Sequence, residues 1–488
     1  MKLSIFGWNR HRKKLFLLFL CSLSIFVWGL FTTVHIQLYN RELLQNKIQF
    51  SNLKDIFEIA PVDQSNSLRY NMKDIKNIIP EIRPRAVQNV EQQLFRKEKL
   101  DIIVNLQKNN WIQWEERYCM GNLYNFKGSF VLMTDVVIDP SKKSSKAKGG
   151  EEIQSVIGHS EQDEEVSLQN GFFNLLCQQI PKITFPKKSH FTKWFSGLST
   201  SNIYQKDVHS EDFPFTVLIK RGDYANLYWT LIELYNTFLT VRLFNENPKT
   251  TTVILMDAHP VGKLDNLWRM VFGNVYRIGR LSQKTFHKKL AWVIRDGPMP
   301  LSVKTIPFVE EFKFALYQSI NNSSSLYHEC SSNDIVQNVT FILRKNYVAH
   351  PRNPGGKVNR KLSNEKELIN YLTNKLPEAR ITAVQIDLFP IEEQIKLIYE
   401  TNVLVGVHGA GLGHTLVLRS RSTMVEIFPS SYKRTPNPHF QMFAYWADVH
   451  YDRWFSTSPP IRNNEWLYVD PEAAYKLIKH ALDKSCKH

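Results

Sequence analysis

Five short segments constrain this chain more than any other feature. Residues 215–220 (FTVLIK), 251–258 (TTVILMDA), 338–345 (NVTFILRK), 402–407 (NVLVGV) and 423–429 (TMVEIFP) are β-branched and nearly continuously apolar. A strand with one wet face alternates apolar and polar side chains, whereas an unbroken apolar run has to bury both faces, as strands of a parallel sheet do. Between these runs, residues 227–244, 364–376 and 391–400 repeat their apolar positions at three and four, which predicts helices. Alternating strand and helix implies an α/β fold in layers. The NNSSS run at 321–325 marks a boundary, which divides the chain into a lobe over 115–330 and a second over 331–488 that ends in a helix. Residues 141–168 carry a basic Gly/Ser run and then an acidic one, which reads as an exposed loop.

The N-terminus sets an address. Lys2, Arg10, Arg12, Lys13 and Lys14 lie in residues 1–14 without an acid, and residues 15–34 follow without a charge. That run is long enough to cross a bilayer as a helix, and the positive-inside rule keeps the basic tail in the cytosol and the bulk of the chain in the lumen. A cleaved signal peptide has a shorter apolar core and an A-x-A-like site, which is missing here. The expectation is a signal anchor, a polar stem over 35–114 with one amphipathic pattern at 90–107, and a single-pass type II protein of the Golgi membrane. Sequons at Asn321, Asn322 and Asn338 agree with a lumenal fate, as do Cys119, Cys177, Cys330 and Cys486, which can pair as two disulfides.

The net charge is +16, from 62 basic and 46 acidic residues. Beyond the tail the basic residues are scattered, with no basic helix face and no RNA-binding motif, so no nucleic-acid partner is expected. The cysteines show no CxxC spacing, which argues against a zinc knuckle.

The chemistry concentrates in the second lobe. The 402–407 strand runs into His408-Gly409-Ala410-Gly411-Leu412-Gly413-His414 and a helix-like TLVLR. A glycine-rich turn between strand and helix lets backbone N–H groups approach a phosphate, aided by the positive end of the helix. The alternative is a tight turn with no ligand. Upstream, the 338–345 strand ends in Arg344-Lys345, followed by Tyr347, His350, Pro351, Arg352, Gly355, Gly356, Lys357 and Arg360. Cations beyond the carboxyl end of a strand suit a diphosphate, Arg as a fork and Lys as a point charge; otherwise they form a solvated loop. Glu426, inside an apolar strand, either accepts both hydroxyls of a ribose or pairs with one of these arginines. These groups form a nucleotide-diphosphate pocket without a P-loop. No D-x-D tripeptide occurs, so no metal or cofactor is expected, and Arg and Lys are left to neutralise the leaving diphosphate.

These blocks resemble glycosyltransferase family 61, and within it the core β-1,2-xylosyltransferases of N-glycan processing. The shared blocks are Val407 to Leu412 with Val425-Glu426-Ile427, and Arg344-Lys345-x-Tyr347-x-Ala349-His350-Pro351-Arg352 with Gly355-Gly356-Lys357-Val358. Tyr224-Ala225-Asn226-Leu227, Cys119-Met120-Gly121 and Gly149-Gly150-Glu151 are also similar. The resemblance implies a GT-B-like architecture of two Rossmann-like lobes with the donor on the second. It also implies inversion, UDP-xylose as donor and the β-mannose of an N-glycan core as acceptor. Three positions depart from the pattern: Lys345 replaces an arginine, Gly413 a threonine, and Trp229 a histidine.

With Trp229 in that place the general base has to be sought by chemistry. An inverting transfer needs one positioned carboxylate or histidine to take the acceptor proton, and in a two-lobed enzyme it comes from the first lobe. The candidates are Asp223 after the 215–220 strand, Glu233 on the following helix, and Asp257 with His259 at the end of the 251–258 strand; Arg221, Asn226 and His259 are candidate acceptor-side contacts. Three functions fit: the xylosyltransferase, another family-61 transferase such as a protein O-linked N-acetylglucosaminyltransferase, and a non-catalytic glycan-binding relative.

Overall fold

A computed structural model describes residues 115–126, 130–185, 189–200, 213–293, 306–320, 336–432, 438–458 and 465–486. The expected tail, anchor and stem, the NNSSS boundary and the sequons at Asn321 and Asn322 lie outside them. Among the described residues no helix is long and apolar enough to cross a membrane.

The first lobe is built on a mixed sheet. Its strands are β1 (Glu115–Tyr118), β2 (Leu123–Phe126), β3 (Val131–Ile138), β4 (Phe173–Leu175), β5 (Leu198–Thr200), β6 (Thr216–Ile219), β7 (Thr252–Leu255), β8 (Asn274–Arg277) and β9 (Thr285–Trp292). The order is β1-β2-β3-β9-β6-β7-β8, with β4 pairing β3 and β5. From β9 to β8 the neighbours run parallel, while β3 runs antiparallel to β9 and β2. The apolar runs at 215–220 and 251–258 become β6 and β7, side by side and buried on both faces. The helices are α1 (Phe191–Phe195), α2 (Leu227–Leu243), α3 (Asn266–Val271) and α4 (Val309–Gln318). Helix α2 starts where Asn226 caps it, Oδ1 accepting the N–H of Tyr228 at 3.1 Å. It is buried on nearly every side because it lies between the first sheet and the second lobe.

The second lobe is a parallel sheet of β10 (Gln337–Ile342), β11 (Ala379–Val384), β12 (Val403–Val407), β13 (Thr423–Phe428) and β14 (His450–Phe455). Its order is β11-β10-β12-β13-β14, and every pairing is parallel. Helices α5 (Glu365–Lys375) and α8 (Pro471–Lys484) cover one face. Helices α6 (Ile391–Tyr399) and α7 (His439–Trp446) cover the other, together with a 3-10 segment, Ala410–Val417. The chain leaves β10 toward one edge of the sheet and β12 toward the other. A crevice therefore opens between their carboxyl ends, where doubly wound sheets hold ligands.

Helix α4 ties the lobes together. Phe312 packs edge-on against Tyr235 and Phe238 of α2, while the fully buried Lys313 donates to Ala447 O at 2.7 Å and Ser420 Oγ at 3.2 Å. Cys119 and Cys177 form a disulfide that joins the ends of β1 and β4. Cys486 is also disulfide-bonded.

One sequence expectation is refined here and another corrected. Residues 141–168 are largely exposed, as expected, but the segment is pinned to the lobe. Gly149 and Gly150, at φ of 83° and 78°, turn the backbone against Ala258, and Arg280 donates to both of their carbonyls at 2.9 and 3.1 Å. The charge pattern hid Val156, Val166 and Glu164, all of which are buried. The segment after the glycine-rich turn is 3-10 rather than α-helical, packed between α2 and the sheet.

Candidate active site

The crevice between β10 and β12 opens into a cleft of about 320 Å³. Arg344, just past β10, and Ala410 and Gly411, just past β12, form one wall. Arg344 Nε donates to Asn359 O at 2.9 Å, which turns the rest of the guanidinium over the glycine-rich turn. A β-carbon built on Gly409 would lie 1.7 Å from Arg344 Nη1. Gly409 has an extended backbone, at φ of 166°, which any residue adopts; what the position requires is space.

Burial, and then the neighbouring Arg360, pull the pKa of Arg344 down to about 10. A cation so desolvated gains more from an incoming anion than one in water. Lys345, Tyr347 and Arg360 continue the same wall. Lys345 is half exposed, with Glu365 3.1 Å away.

The opposite wall comes from the first lobe. Asn226, Lys263 and Leu264 line the cleft, and a second space of about 220 Å³ shares Asn226 and Tyr347 with it and adds Asp223, His350 and Asn353. The loop 221–226 that delivers Asp223 and Asn226 is held along its length. Arg221, fully buried, spends its guanidinium on Asp257 at 2.7 and 3.0 Å and on Asp265 at 2.8 Å. The Gly222 N–H donates to Glu233 Oε1 at 2.7 Å, and Thr230 Oγ1 donates to Asp223 O at 3.3 Å. Tyr224 stacks on His259 and lies 5.3 Å from the ring of His350 in the other lobe. The Ala225 N–H takes Asp223 Oδ1 at 3.1 Å, which leaves Oδ2 without a protein partner among the described residues.

Several candidates stand elsewhere. Asp257 is buried, and both its oxygens accept from Arg221. Burial would raise its pKa, but Arg221 and then His259 outweigh that and hold it well below the usual carboxylate range. It is one half of an ion pair and cannot serve as a base, and Arg221 is equally unavailable to an acceptor. His259 is buried between Glu164 Oε2 at 2.6 Å and Arg221 O at 3.0 Å. Glu426 is fully buried, and its oxygens accept from His408 Nδ1 at 2.5 Å and Tyr451 Oη at 2.8 Å rather than from an arginine. His408 therefore lies behind the cleft, stacked on Phe428, and Leu412 fills the space left by the missing side chain of Gly406. Lys357 is turned toward Glu465, 3.7 Å away, and Arg352 is folded back onto His350. Asn338 lies in β10, its Nδ2 donating to Glu400 O at 2.9 Å; this is no open turn of the kind expected at a glycosylated sequon.

Sequence reading missed Lys263 and the α6 side of the cleft, where Asp387 and Gln394 stand. Lys263 Nζ reaches Asp387 O at 2.9 Å across the cleft. No local motif marks these residues, since they meet only when the lobes do.

The glycosyltransferase 61 family model matches residues 172–425, slightly more than half of the chain and nearly all of both walls. The chain is 24% identical over 378 residues to a β-1,2-xylosyltransferase of Arabidopsis thaliana, covering 62% of this chain and 70% of that protein. It is 28% identical over 266 residues to β-1,2-xylosyltransferase RCN11 of Oryza sativa subsp. japonica, covering 48% of each. An EGF domain-specific O-linked N-acetylglucosamine transferase of Bos taurus matches at 21% over 291 residues, 55% of this chain and 51% of that protein. A cation-walled crevice at the switch point of a parallel sheet and a matching family model agree: the chain belongs to the glycosyltransferase 61 family and is a glycosyltransferase.

Proposed function

We propose that this protein transfers xylose from UDP-xylose, with inversion, to the β-mannose of N-glycan cores, using a GT-B-like pair of lobes. In this reading residues 15–34 anchor it in the Golgi membrane as a single-pass type II protein with the catalytic part in the lumen. The observation that carries the transferase reading is the desolvated Arg344 guanidinium over Gly409, facing the Asp223–Asn226 loop of the other lobe. Two xylosyltransferase relatives support the choice of sugar.

The diphosphate of the donor lies against Arg344, Lys345 and Arg360. Asn226 Oδ1 is committed to its helix cap, so its Nδ2 is left to donate to a ligand oxygen. The acceptor enters through the smaller space, where Asp223 Oδ2 takes the proton of the attacking hydroxyl. The new bond forms between that oxygen and the anomeric carbon as the bond to the β-phosphate oxygen breaks on the opposite face. UDP departs with the bonding pair, and Arg344 meets the charge that develops there.

A second reading is transfer of N-acetylglucosamine to a protein hydroxyl, favoured by the bovine relative. The deciding experiment offers a panel of UDP-sugars to the purified protein with an N-glycan or a folded EGF-domain acceptor, each with and without excess EDTA. Xylose on the N-glycan, undiminished by chelator, is the expected result. N-acetylglucosamine on the protein acceptor would replace the first reading with the second, and a requirement for Mn²⁺ would overturn the role given to the cations.

A further inference from the structure

Glu233 has a sequence position that fits a base, yet its surroundings fit another task. It lies on α2, two turns past the Asn226 cap and one turn past Thr230. Its Oε1 accepts the Gly222 N–H at 2.7 Å, and Thr230 Oγ1 donates to the Asp223 carbonyl at 3.3 Å. Helix α2 thereby grips the backbone on both sides of Asp223, and the Ala225 N–H fixes one of that residue's carboxylate oxygens. Glu233 Oε2 is sealed from solvent and has no hydrogen-bond partner among the described residues, so no acceptor hydroxyl can reach it.

We propose that Glu233 is a positioning residue for Asp223, acting through the Gly222 peptide, and is not itself the base. The inference rests on the reading of Asp223 as the base.

The charges around Glu233 agree. Arg221 and Asp223 face it from the loop and Asp257 from the end of β7. Arg221, the one cation among them, is already committed to Asp257 and Asp265. Burial is the main cause that pushes the Glu233 pKa up to about 8. Below that pH the carboxyl is neutral and accepts the Gly222 N–H without placing a third negative charge beside two aspartates. Above it, an unpaired charge forms in the interior, and the relief available is to move toward water and take Gly222 and Asp223 out of register.

The test compares the full-length protein with Asp223→Asn, Glu233→Gln and Glu233→Ala, measuring kcat against pH and, separately, the affinity for UDP. Glutamine keeps the acceptor oxygen and cannot ionise. The unmodified enzyme is expected to lose kcat above about pH 8; Glu233→Gln is expected to hold kcat within about threefold at pH 7 and to abolish that fall, since only the ionised form is lost. Glu233→Ala is expected to lower kcat about tenfold or more with UDP affinity unchanged, and Asp223→Asn about a hundredfold or more. A Glu233→Gln protein as inactive as Asp223→Asn would overturn the positioning role while leaving Asp223 as the base. An active Asp223→Asn protein beside an inactive Glu233→Gln would overturn both. If Glu233→Ala fails to fold, the glutamine variant and its pH profile still decide.

Discussion

Arg344 stands where a side chain on residue 409 would begin, its Nη1 1.7 Å from the β-carbon that Gly409 lacks. The clashing atom is the far end of a flexible side chain, so a Gly409→Ala protein is expected to fold by displacing Arg344. Melting temperature should stay within a few degrees, and UDP affinity should fall about tenfold or more as the preorganised fork is lost. Calorimetric titration with UDP alongside a thermal melt checks both, and unchanged UDP affinity would place the diphosphate elsewhere.

Arg344→Ala should cost about 3 kcal/mol of transition-state stabilisation, the usual loss for one preorganised donor. Arg344→Lys should recover little of it, because a lysine restores the charge without the fork. Lys345→Ala should cost less, since Lys345 already has Glu365 as a partner, and Lys357→Ala should change little, since that side chain turns to Glu465. Steady-state kinetics on the four folded proteins give the ranking.

The Arg221–Asp257 pair predicts a stability effect. Removing Arg221 leaves Asp257 buried without its cation, a loss of about 3–5 kcal/mol, whereas removing Asp257 leaves Arg221 with Asp265 alone and should cost less. Arg221→Met should unfold at markedly lower denaturant concentration than the unmodified protein, and Asp257→Ala at a concentration between the two. The double replacement should lose less than the two singles summed, because it strands no charge. Equilibrium denaturation of the three variants checks this.

Acid should destabilise the fold through its buried histidines. His287 lies between Thr216 Oγ1 at 2.7 Å and Thr285 Oγ1 at 2.8 Å, and burial pulls its pKa down to about 3. His414, whose Nδ1 faces Gly411 O at 2.8 Å, is pulled down to about 4 by the same cause. In the unfolded chain both take a proton near 6.5, the ordinary value. Their contribution is therefore complete above that pH and declines as the pH falls toward 4 and 3. Melting temperature should drop across that window, and a His287→Gln protein should show a shallower drop.

Both strand-rich layers were legible in the sequence because burial on two faces leaves a mark that needs no partner to read. The runs at 215–220, 402–407 and 423–429 became strands within one or two residues of their expected ends. The helical spacing at 227–244, 364–376 and 391–400 became α2, α5 and α6. The two loops that build the second-lobe wall were visible for a related reason. Their cations and glycines follow directly on buried strands, and the carboxyl end of a parallel strand is where such a sheet opens.

What the sequence alone determined is the local choice at each segment: strand or helix, buried or wet, turn or continuation. Those choices depend on the residues within a few positions of one another. Which charge meets which was decided only by the tertiary structure. By sequence Asp257 is one candidate base, and Glu426 either a ribose contact or the partner of an arginine, but one found Arg221 from 36 residues away and the other His408 from 18. Lys263 and Asp387, 124 residues apart, close the cleft between lobes. A carboxylate's neighbours set its protonation, its reach and therefore its role. Those neighbours arrive through sheet order and lobe packing, which no stretch of sequence contains by itself.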